Sequence, residues 1–423
     1  MQELLYLVHR IPYPPDKGDK IRSYHLLKHL SQHYRVHLGT FIDDEKDRRY
    51  LSKVRNLCGE TCFVDLYPKR ARLRSLRGLL SGQPLTLPYY RDRSLQAWVN
   101  SVLETRPIRN ILIFSSAMAQ YVDHAGPARR IIDFVDIDSD KWMQYATTKT
   151  WPMSWIYRRE SRLLLGYERK IAEDFDGAAF VSQSEASLFK KLAPEVAAKV
   201  TYFNNGVDAD YFSPQNSYPN PYPASKHPLV FIGAMDYWAN VDAVGWFARS
   251  IFPTIRAQLP EVEFHIVGAR PATEVMALAA LPGVTVAGSV PDVRPYLAHA
   301  SLAVAPLRIA RGIQNKVLEA MAMEKIVVAS PQAMEGICAN AGQELFVANN
   351  ESDFAHQIIT LLQSEPNRTI GHAARVRVLE DYSWKKGLES VDALLSPRPA
   401  AYADKDYSHN VQNRFESAGD NLA

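Results

Sequence analysis

The sequence predicts an α/β protein built from two doubly wound domains that face each other across a cleft. Short apolar runs alternate with longer segments of helical periodicity along most of the 423 residues. In the second half the apolar runs are nearly continuous, as in a parallel sheet that is covered by helices on both faces. A proline-rich stretch separates the two halves. Strands and helices that alternate in this way predict βαβ units with right-handed crossovers.

The first half contains candidate strands separated by helical patterns. One helical pattern covers residues 21–30, and a longer one over 158–175 keeps its apolar residues at helical spacing. The predicted strands of this half are residues 4–8, 36–42, 62–66, 111–114, 131–135 and 178–181.

The second half repeats the pattern more clearly. Each apolar run is followed by a helical segment of about 10–18 residues. The predicted strands of this half are residues 229–232, 263–267, 284–287, 302–305, 326–329 and 345–347.

The domain boundaries follow from proline content and polarity. Residues 213–228 contain five prolines and are incompatible with a helix or an inner strand, so we predict a linker there. The first domain is expected over 1–205 and the second over 206–382. A helix over 383–395 is expected to cross back to the first domain. The polar tail 396–423 is expected to be disordered.

The composition argues against several classes of protein. The 49 basic and 46 acidic residues give a formal net charge of +3, too close to neutral for a protein whose main partner is nucleic acid. Three cysteines without a CxxC pair argue against a disulfide framework and a structural zinc site, and favour a reducing compartment. No apolar run approaches the ~18 residues of a membrane-spanning helix. We therefore expect a cytoplasmic protein.

The segment 302–330 is the most informative part of the sequence. A strand ends near residue 307, and a loop over 308–312 leads into a helix expected at 313–323. The free N–H groups at the start of such a helix suit a phosphate, and Lys316 could add a cation for a diphosphate. Glu319 lies about 9 Å farther along the helix axis, where a carboxylate can accept both hydroxyls of a ribose. A surface ion pair between Lys316 and Glu319 would explain the same spacing.

A second candidate loop, residues 12–22, follows the first strand and opens a helix. Gly18 and the backbone after it could line the cleft at the carboxyl end of the strand, where ligands bind in open α/β sheets. Lys20 and Arg22 add positive charge and are assigned to the acceptor and phosphate side. A solvated proline-rich loop explains this segment equally well.

Aspartates cluster directly after the strand predicted at 131–135. Asp136 and Asp138 could act as acid or base groups. The pattern lacks the glycine and distal glutamate of an EF-hand. A helix that begins with several aspartates is the simpler alternative, because it is favoured by the helix dipole.

Residues 68–80, PKRARLRSLRGLL, contain five basic residues and no acid, with leucines interleaved. This pattern indicates a basic amphipathic helix that would suit anionic lipid headgroups. A solvated basic face would give the same pattern.

Several of these segments resemble glycosyltransferase family 4. GIQNKVLEAMA at 312–322 is similar to the family's nucleotide-binding helix, FNNGVD at 203–208 to its interdomain turn, and FVSQSE at 180–185 to the preceding strand and turn. FVDIDSDKW and GAMDYWANVDA resemble the exosortase (PEP-CTERM) associated sugar transferases of exopolysaccharide clusters. The resemblance covers about residues 3–395 and implies the GT-B fold, which has two Rossmann-like domains.

The resemblance implies transfer of a hexose from a nucleoside-diphosphate sugar, with retention at the anomeric carbon and without a metal or cofactor. The second domain would bind the donor. The first domain would bind a lipid-linked or polysaccharide acceptor, with peripheral contact to the inner membrane through 69–80. Residues carried over to the donor side are Gly18, Gly233, Val290, Arg308, Gly312, Ile313, Gln314 and Glu319.

The sequence departs from the family pattern at three places. Arg311 stands where the first of a usual pair of glutamates lies, and residues 234–240 lack the usual arginine and lysine. Aspartates alone occupy the region of Asp136 and Asp138, where many members have a histidine. We infer that Arg308, Arg311 and Lys316 supply the missing positive charge, because the departing diphosphate must be stabilised. The predicted catalytic residues are Arg311, Lys316, Asp136 and Asp138.

Two alternatives stay open at this point. A nucleotide-sugar epimerase on the same scaffold would need no acceptor. A non-catalytic nucleotide-binding protein would be compatible with Arg311 in place of a carboxylate. The sequence names neither the base, the sugar, the acceptor nor the oligomeric state.

Overall fold

The computed structural model describes residues 1–15, 17–123, 126–222, 227–310, 313–364 and 368–396, with residue 80 described by its backbone alone. Arg311 and Gly312 lie outside these ranges, as do residues 223–226 of the predicted linker and all but the first residue of the predicted tail.

The first half forms one parallel sheet. Its strands are β1 (Gln2–Val8), β2 (Tyr34–Ile42), β3 (Thr61–Asp65), β4 (Ile108–Phe114), β5 (Arg129–Val135), β6 (Gly177–Phe180) and β7 (Val200–Tyr202). Their spatial order is β3-β2-β1-β4-β5-β6-β7. The order reverses direction between β1 and β4, which pair in parallel.

The second half forms another parallel sheet. Its strands are β8 (His227–Ile232), β9 (Val262–Val267), β10 (Val284–Gly288), β11 (Leu302–Ala305), β12 (Val327–Ala329) and β13 (Phe346–Val347). Their spatial order is β10-β9-β8-β11-β12-β13, so the direction of winding reverses between β8 and β11.

Helices cover both sheets. Short 3₁₀ turns occupy Glu45–Tyr50, Ser116–Tyr121, Pro194–Lys199 and Ala277–Ala280, and a π-helical turn occupies Phe247–Ile251. The α-helices are α1 (Gly18–His33), α2 (Leu51–Arg55), α3 (Pro68–Ser75), α4 (Arg77–Ser81), α5 (Thr86–Tyr89), α6 (Arg93–Thr105), α7 (Asp138–Thr148), α8 (Met153–Asp174), α9 (Gln183–Leu192), α10 (Trp238–Trp246), α11 (Phe252–Gln258), α12 (Thr273–Met276), α13 (Arg294–His299), α14 (Asn315–Ala322), α15 (Glu351–Gln363), α16 (Arg368–Asp381) and α17 (Trp384–Leu395).

The strand β1 shows why the sheet needs helices on both faces. Leu5 and Leu7 belong to one buried hydrophobic cluster, whereas Leu4, Tyr6 and Val8 belong to a second cluster on the other face. Successive side chains of a strand point to opposite faces, so a continuous apolar run fills two layers at once.

The last helix, α17, packs against the first sheet after the chain has completed the second. Trp384 and Leu388 lie in the same hydrophobic cluster as Leu4, Tyr6 and Val8 of β1. The Asp392 carboxylate contacts His29 of α1 at 2.8 Å. Where the chain returns to the first sheet, the Val207 N–H donates to the Tyr382 carbonyl at 2.7 Å. The two segments that connect the sheets are therefore hydrogen-bonded to each other.

Part of the segment predicted as a linker packs against the second sheet. The predicted domain boundary at residues 205 and 206 lies between β7, which ends at Tyr202, and β8, which begins at His227. Tyr222 is buried in the core of the second sheet, and its hydroxyl donates to the Tyr296 carbonyl at 2.8 Å. The His299 ring also contacts the Tyr218 carbonyl at 2.8 Å. Prolines exclude a helix here, but they do not prevent tyrosines between them from packing.

Candidate active site

The two points at which strand order reverses define the site. In open α/β sheets, ligands bind at the carboxyl ends of the strands on either side of such a point. These are the ends of β8 and β11 in the second sheet and of β1 and β4 in the first. The loops and helices that follow these strands contain Gly18, Gly233, Arg308, Lys316 and Glu319.

The backbone of two glycines, Gly233 after β8 and Gly268 after β9, forms the floor of the site in the second sheet. A Cβ built on Gly268, which follows β9, would lie 1.6 Å from the carbonyl oxygen of Gly233, which follows β8. Gly268 also has a φ of 155°, a conformation that side chains rarely adopt. The chains after β8 and β9 therefore approach as closely as two glycines permit, and this leaves room above them for a ligand.

Lys316 is held at this floor by an amide. Its Nζ donates to Asn240 Oδ1 at 2.6 Å and lies 5.0 Å from the centre of the Phe231 ring. The Asn240 Nδ2 donates in turn to the Ala234 carbonyl at 2.9 Å. Burial lowers the pKa of Lys316 to about 8, although the nearby Glu319 charge opposes that shift. Lys316 therefore does not form a simple surface ion pair with Glu319, since it bonds to Asn240 of α10 and, through that amide, to the loop after β8.

Glu319 lies one turn farther into the second domain. Burial raises the pKa of its carboxyl to about 7, with Lys316 acting in the opposite direction. Its charge also acts on Tyr211, whose ring lies under the Arg294 guanidinium at 3.7 Å. The Glu319 side chain is half-buried, and a partly desolvated carboxylate gains from any hydroxyl donor, such as a ribose diol.

The start of α14 is the place where the sequence predicts a phosphate contact. Gln314 is the N-cap in an extended conformation, and no side chain caps the helix within the described part of the chain. Ile313 lies beside Gly336, where a Cβ would come within 3.2 Å of the Ile313 side chain. Val290, in the loop after β10, packs against the second core and is half-buried. The structure leaves open the contributions of Arg311 and Gly312, because both lie outside the described residues.

Arg308 is engaged elsewhere. Its guanidinium bonds to the Asp242 carboxylate and lies 5.4 Å from the Trp246 ring. The loop after β8 instead receives an arginine that the sequence reasoning missed. Arg270 Nε donates to Asp236 Oδ2 at 2.6 Å. The signal available was only that Arg270 follows the strand adjacent to β8.

Gly18 opens α1, and a Cβ there would meet nothing within 4 Å. Its neighbour Lys17 links the two halves of the site. The pKa of Asp236 is lowered by its hydrogen bond from Arg270 against the effect of burial, and the charge of Lys17 adds to the lowering. Lys17, in the loop after β1, is therefore close enough to the loop after β8 for its charge to act on Asp236.

The structure buries Lys20 and Arg22, which the sequence assigned to the acceptor and phosphate side. Arg22 is completely buried, where it donates to Asp133 at 2.7 Å and 3.1 Å and to Asn205 Oδ1 at 3.0 Å. Lys20 is buried as well and donates to Asp47 at 2.6 Å. Neither cation is accessible to a phosphate. Arg22 instead ties the start of the interdomain turn to β5.

A cavity of about 660 Å³ opens at the carboxyl ends of β1, β4 and β5. Asp136 and Asp138 line it, together with Lys141, which contacts them at 2.7 Å and 3.4 Å. Burial would lower the pKa of Lys141, but the two carboxylates outweigh it and raise the pKa above its usual value. The remaining lining residues are His9, Asp19, Arg72, Ser75, Leu85, Thr86, Tyr89, Tyr90, Phe114, Ser115, Phe134, Val135 and Trp142.

Two features of this cavity were missed from the sequence. His9 Nε2 lies 3.4 Å from Asp19 Oδ2. Burial raises the pKa of Asp19, but His9 and Arg10 outweigh it and hold the pKa well below its usual value. Ser115 and Val135 have φ values of 77° and 70°. A β-branched residue with positive φ is strained, and such strain clusters at functional sites.

The chain is similar to known glycosyltransferases at two levels. Residues 226–364, about a third of the chain, match a family model described as glycosyl transferases group 1. No curated protein sequence matches the chain. The family match covers the second sheet with its donor-side loops, including Lys316 and Glu319.

Solved structures share the fold over nearly the whole chain. A glycosyltransferase from Rickettsia africae ESF-5 gives a TM-score of 0.63 at 14% identity, covering 94% of this chain and 100% of that one. Anabaena Alr3699/HepE in complex with UDP gives 0.63 at 16% identity, covering 93% and 99%. WaaG, a glycosyltransferase involved in lipopolysaccharide biosynthesis, gives 0.63 at 13% identity, covering 93% and 100%. The expected fold class is therefore confirmed: this chain has the two-domain α/β GT-B fold.

Proposed function

We propose that this protein is a retaining glycosyltransferase that moves a hexose from a nucleoside-diphosphate sugar to a lipid-linked or polysaccharide acceptor. The observation that carries the proposal is the arrangement around α14. A half-buried cation, Lys316, and a half-buried carboxyl, Glu319, lie at the reversal point of the second sheet, on the first two turns of α14. A diphosphate and the sugar of a nucleoside require these groups in this order.

The roles follow from charge. The bond between the anomeric carbon and the diphosphate oxygen breaks, a bond to an acceptor oxygen forms, and the acceptor proton passes to the departing diphosphate. Lys316 and the helix start would stabilise the negative charge that develops on that diphosphate. Glu319 would accept the ribose hydroxyls. Gly18 would allow the loop after β1 to approach the diphosphate from the first domain.

The acceptor would occupy the 660 Å³ cavity of the first sheet. Aromatic rings from Tyr89, Tyr90 and Trp142 line it together with the charged groups of Asp136 and Asp138. Such a mixture suits a sugar, because rings stack on its apolar face while carboxylates accept its hydroxyls. The cavity favours a transferase over an epimerase, since an epimerase needs no second substrate.

Membrane proximity and pathway belong to the same proposal. The basic segment 69–80 would bind an anionic membrane surface, and the resemblance to exosortase-associated transferases favours a role in exopolysaccharide synthesis at the inner face of the membrane. No helix in the described ranges is long and apolar enough to span a bilayer.

A thermal-shift screen with UDP-, GDP-, ADP- and dTDP-linked sugars tests the donor side, because a ligand that binds the native state raises its melting temperature. We expect one nucleotide class to stabilise the protein and Glu319→Ala to abolish the shift. Glu335→Ala, which removes an exposed carboxylate from the same domain, should leave the shift unchanged. Equal shifts in wild type and Glu319→Ala would refute the assignment. Turnover in EDTA then tests the expectation that no metal is needed.

A further inference from the structure

The first domain exposes a second apolar surface that the basic segment does not include. It lies at the turn between α7 and α8, where Trp151 is 80% exposed and Trp155 is 55% exposed. Met143, Tyr145 and Met153 are exposed beside them. Large apolar side chains that gather on one exposed patch mark an interaction surface.

The charge around this turn has one sign. No aspartate or glutamate occurs between Lys141 and Arg159, whereas Lys149 and Arg158 lie within the segment and are exposed. Residues 66–91, which contain α3 and α4, also lack acidic residues. Both segments are thus basic and apolar, with no aspartate or glutamate of their own.

Hydrogen bonds fix the two segments in one body. Arg159 of α8 donates to the Gly78 carbonyl at 2.7 Å and to the Gln83 carbonyl at 3.2 Å. The buried Glu160 carboxylate accepts from the backbone of Leu85 at 2.6 Å and of Thr86 at 2.9 Å. The turn therefore keeps its position relative to α3 and α4.

The turn itself is rigidly supported. The rings of Trp142 and Tyr157 meet at 5.2 Å across the α7–α8 hairpin. At its base, the Glu168 carboxylate accepts from the Ser139 hydroxyl at 2.5 Å and from its backbone N–H at 3.2 Å. Because the hairpin holds its apolar turn in one position, that turn loses little conformational entropy when it binds.

We propose that the α7–α8 turn inserts Trp151 and Trp155 into the headgroup region of an anionic bilayer, beside the basic segment 69–80. Tryptophan favours the membrane interface, and each nearby Lys or Arg adds attraction to anionic lipids. A protein partner would need acidic groups to match so many cations, and an anionic bilayer supplies them in any orientation.

The arrangement also directs the cavity of the first sheet toward the lipid. Arg72 and Ser75 of α3 and Trp142 of α7 line that cavity. Both segments, α3 and the α7–α8 hairpin, therefore contribute side chains to the lining of this cavity. A lipid-linked substrate could enter the cavity without leaving the interface. This inference rests on the membrane contact in the proposed function and adds a second contact to it, but vesicle binding needs no turnover and can be tested without the donor.

The test is sedimentation of the full chain with vesicles of phosphatidylcholine, with and without phosphatidylglycerol. We expect binding only where phosphatidylglycerol is present. The double substitution Trp151→Ser/Trp155→Ser should weaken it about 10-fold or more, and a tryptophan fluorescence blue shift on binding should be lost. Trp238→Ser, which removes an exposed tryptophan from the second domain, is the matched control and should bind as wild type does.

The outcomes separate the possible occupants of the surface. Wild type should keep part of its binding in high salt, because insertion is not electrostatic, whereas the double variant should lose all of it. Unchanged vesicle binding in the double variant would overturn the proposal. So would a wild-type dimer that the double variant converts to a monomer, because the patch would then bind a second copy. A nucleotide-sugar thermal shift retained by the double variant shows that it is folded.

Discussion

The pKa values of Lys316 and Glu319 make the affinity for a nucleotide sugar depend on pH in a bell-shaped way. The ammonium must be protonated to meet the diphosphate, and the carboxyl must be ionised to accept two hydroxyls. With pKa values of about 8 and about 7, both conditions hold best between these values. The perturbation to apply is therefore pH, and the natural probe is the nucleotide sugar that gives the largest thermal shift.

The magnitude follows from the two ionisation equilibria. At pH 7.5, about 60% of the protein has both groups in the required state, compared with about 9% at pH 6 and about 23% at pH 8.5. The association constant should fall about six-fold from pH 7.5 to pH 6, and about two- to three-fold from pH 7.5 to pH 8.5. Protonation of Glu319 causes the loss of affinity at low pH (the acid limb of the profile), and deprotonation of Lys316 causes the loss at high pH (the alkaline limb).

Isothermal titration calorimetry across this range, with wild type and Glu319→Gln, is the assay. The variant keeps the shape of the side chain but not its charge, so the acid limb should vanish and overall affinity should drop. Its alkaline limb should move to lower pH, because Lys316 loses the negative charge that opposes the lowering of its pKa. A flat profile in wild type, or identical profiles in the two proteins, would refute the reasoning.

Two further predictions concern the site and the interdomain turn. Asn240→Ala removes the acceptor of the Lys316 ammonium, and we expect donor affinity to fall by about 1.5 kcal/mol, or about 10-fold, in the same calorimetric assay; unchanged affinity would show that Lys316 needs no positioning. Gly206→Ala places a Cβ 2.5 Å from the Trp384 backbone nitrogen and should destabilise the fold by about 1–3 kcal/mol in urea denaturation. Gly166→Ala, in helix α8 with no atom within 4 Å of the new Cβ, should instead be neutral or stabilising by up to ~1 kcal/mol, and equal losses in both variants would contradict the steric argument.

Periodicity was sufficient to predict the strands but not their full number. Every strand predicted from an apolar run is present with its ends shifted by three residues or fewer, because burial on both faces of a sheet requires such runs. The strand β7 was missed. It has three residues, of which only Val200 is buried, so it carries no apolar run. The predicted basic helix at 68–80 is two helices, α3 and α4, with a break at Leu76.

The fate of individual charges could not be predicted, because their partners lie far away in sequence. Arg22 looked like a phosphate ligand beside Gly18, yet its carboxylate partner Asp133 is 111 residues away. Lys316 and Asn240 are likewise separated by 76 residues. Local spacing indicates which residues share a helix face, but it does not show what that face meets. The roles of the α14 residues stay a prediction, and the sequence could suggest them because a helix start next to a strand end has the same chemistry in any fold of this class.

The contacts of the cations near β8 and β11 show which of them could supply the positive charge that residues 234–240 lack. Arg270 and Arg308 each meet a carboxylate, Asp236 and Asp242, so the charges of these two pairs largely cancel. Lys316 is different, because its partner is the neutral amide of Asn240 and its full charge stays available to a ligand.

Of Arg270, Arg308 and Lys316, Lys316 is therefore the cation best placed to offset the charge of a diphosphate. Its depressed pKa has the same origin, since the charge of Glu319 only partly offsets the desolvation, which makes the charged form costly until an anion arrives. Binding the diphosphate should relieve that cost and raise the pKa of Lys316. Proton uptake on binding near pH 8, measured as a dependence of the calorimetric enthalpy on the buffer, would be the direct signature of a site built in this way.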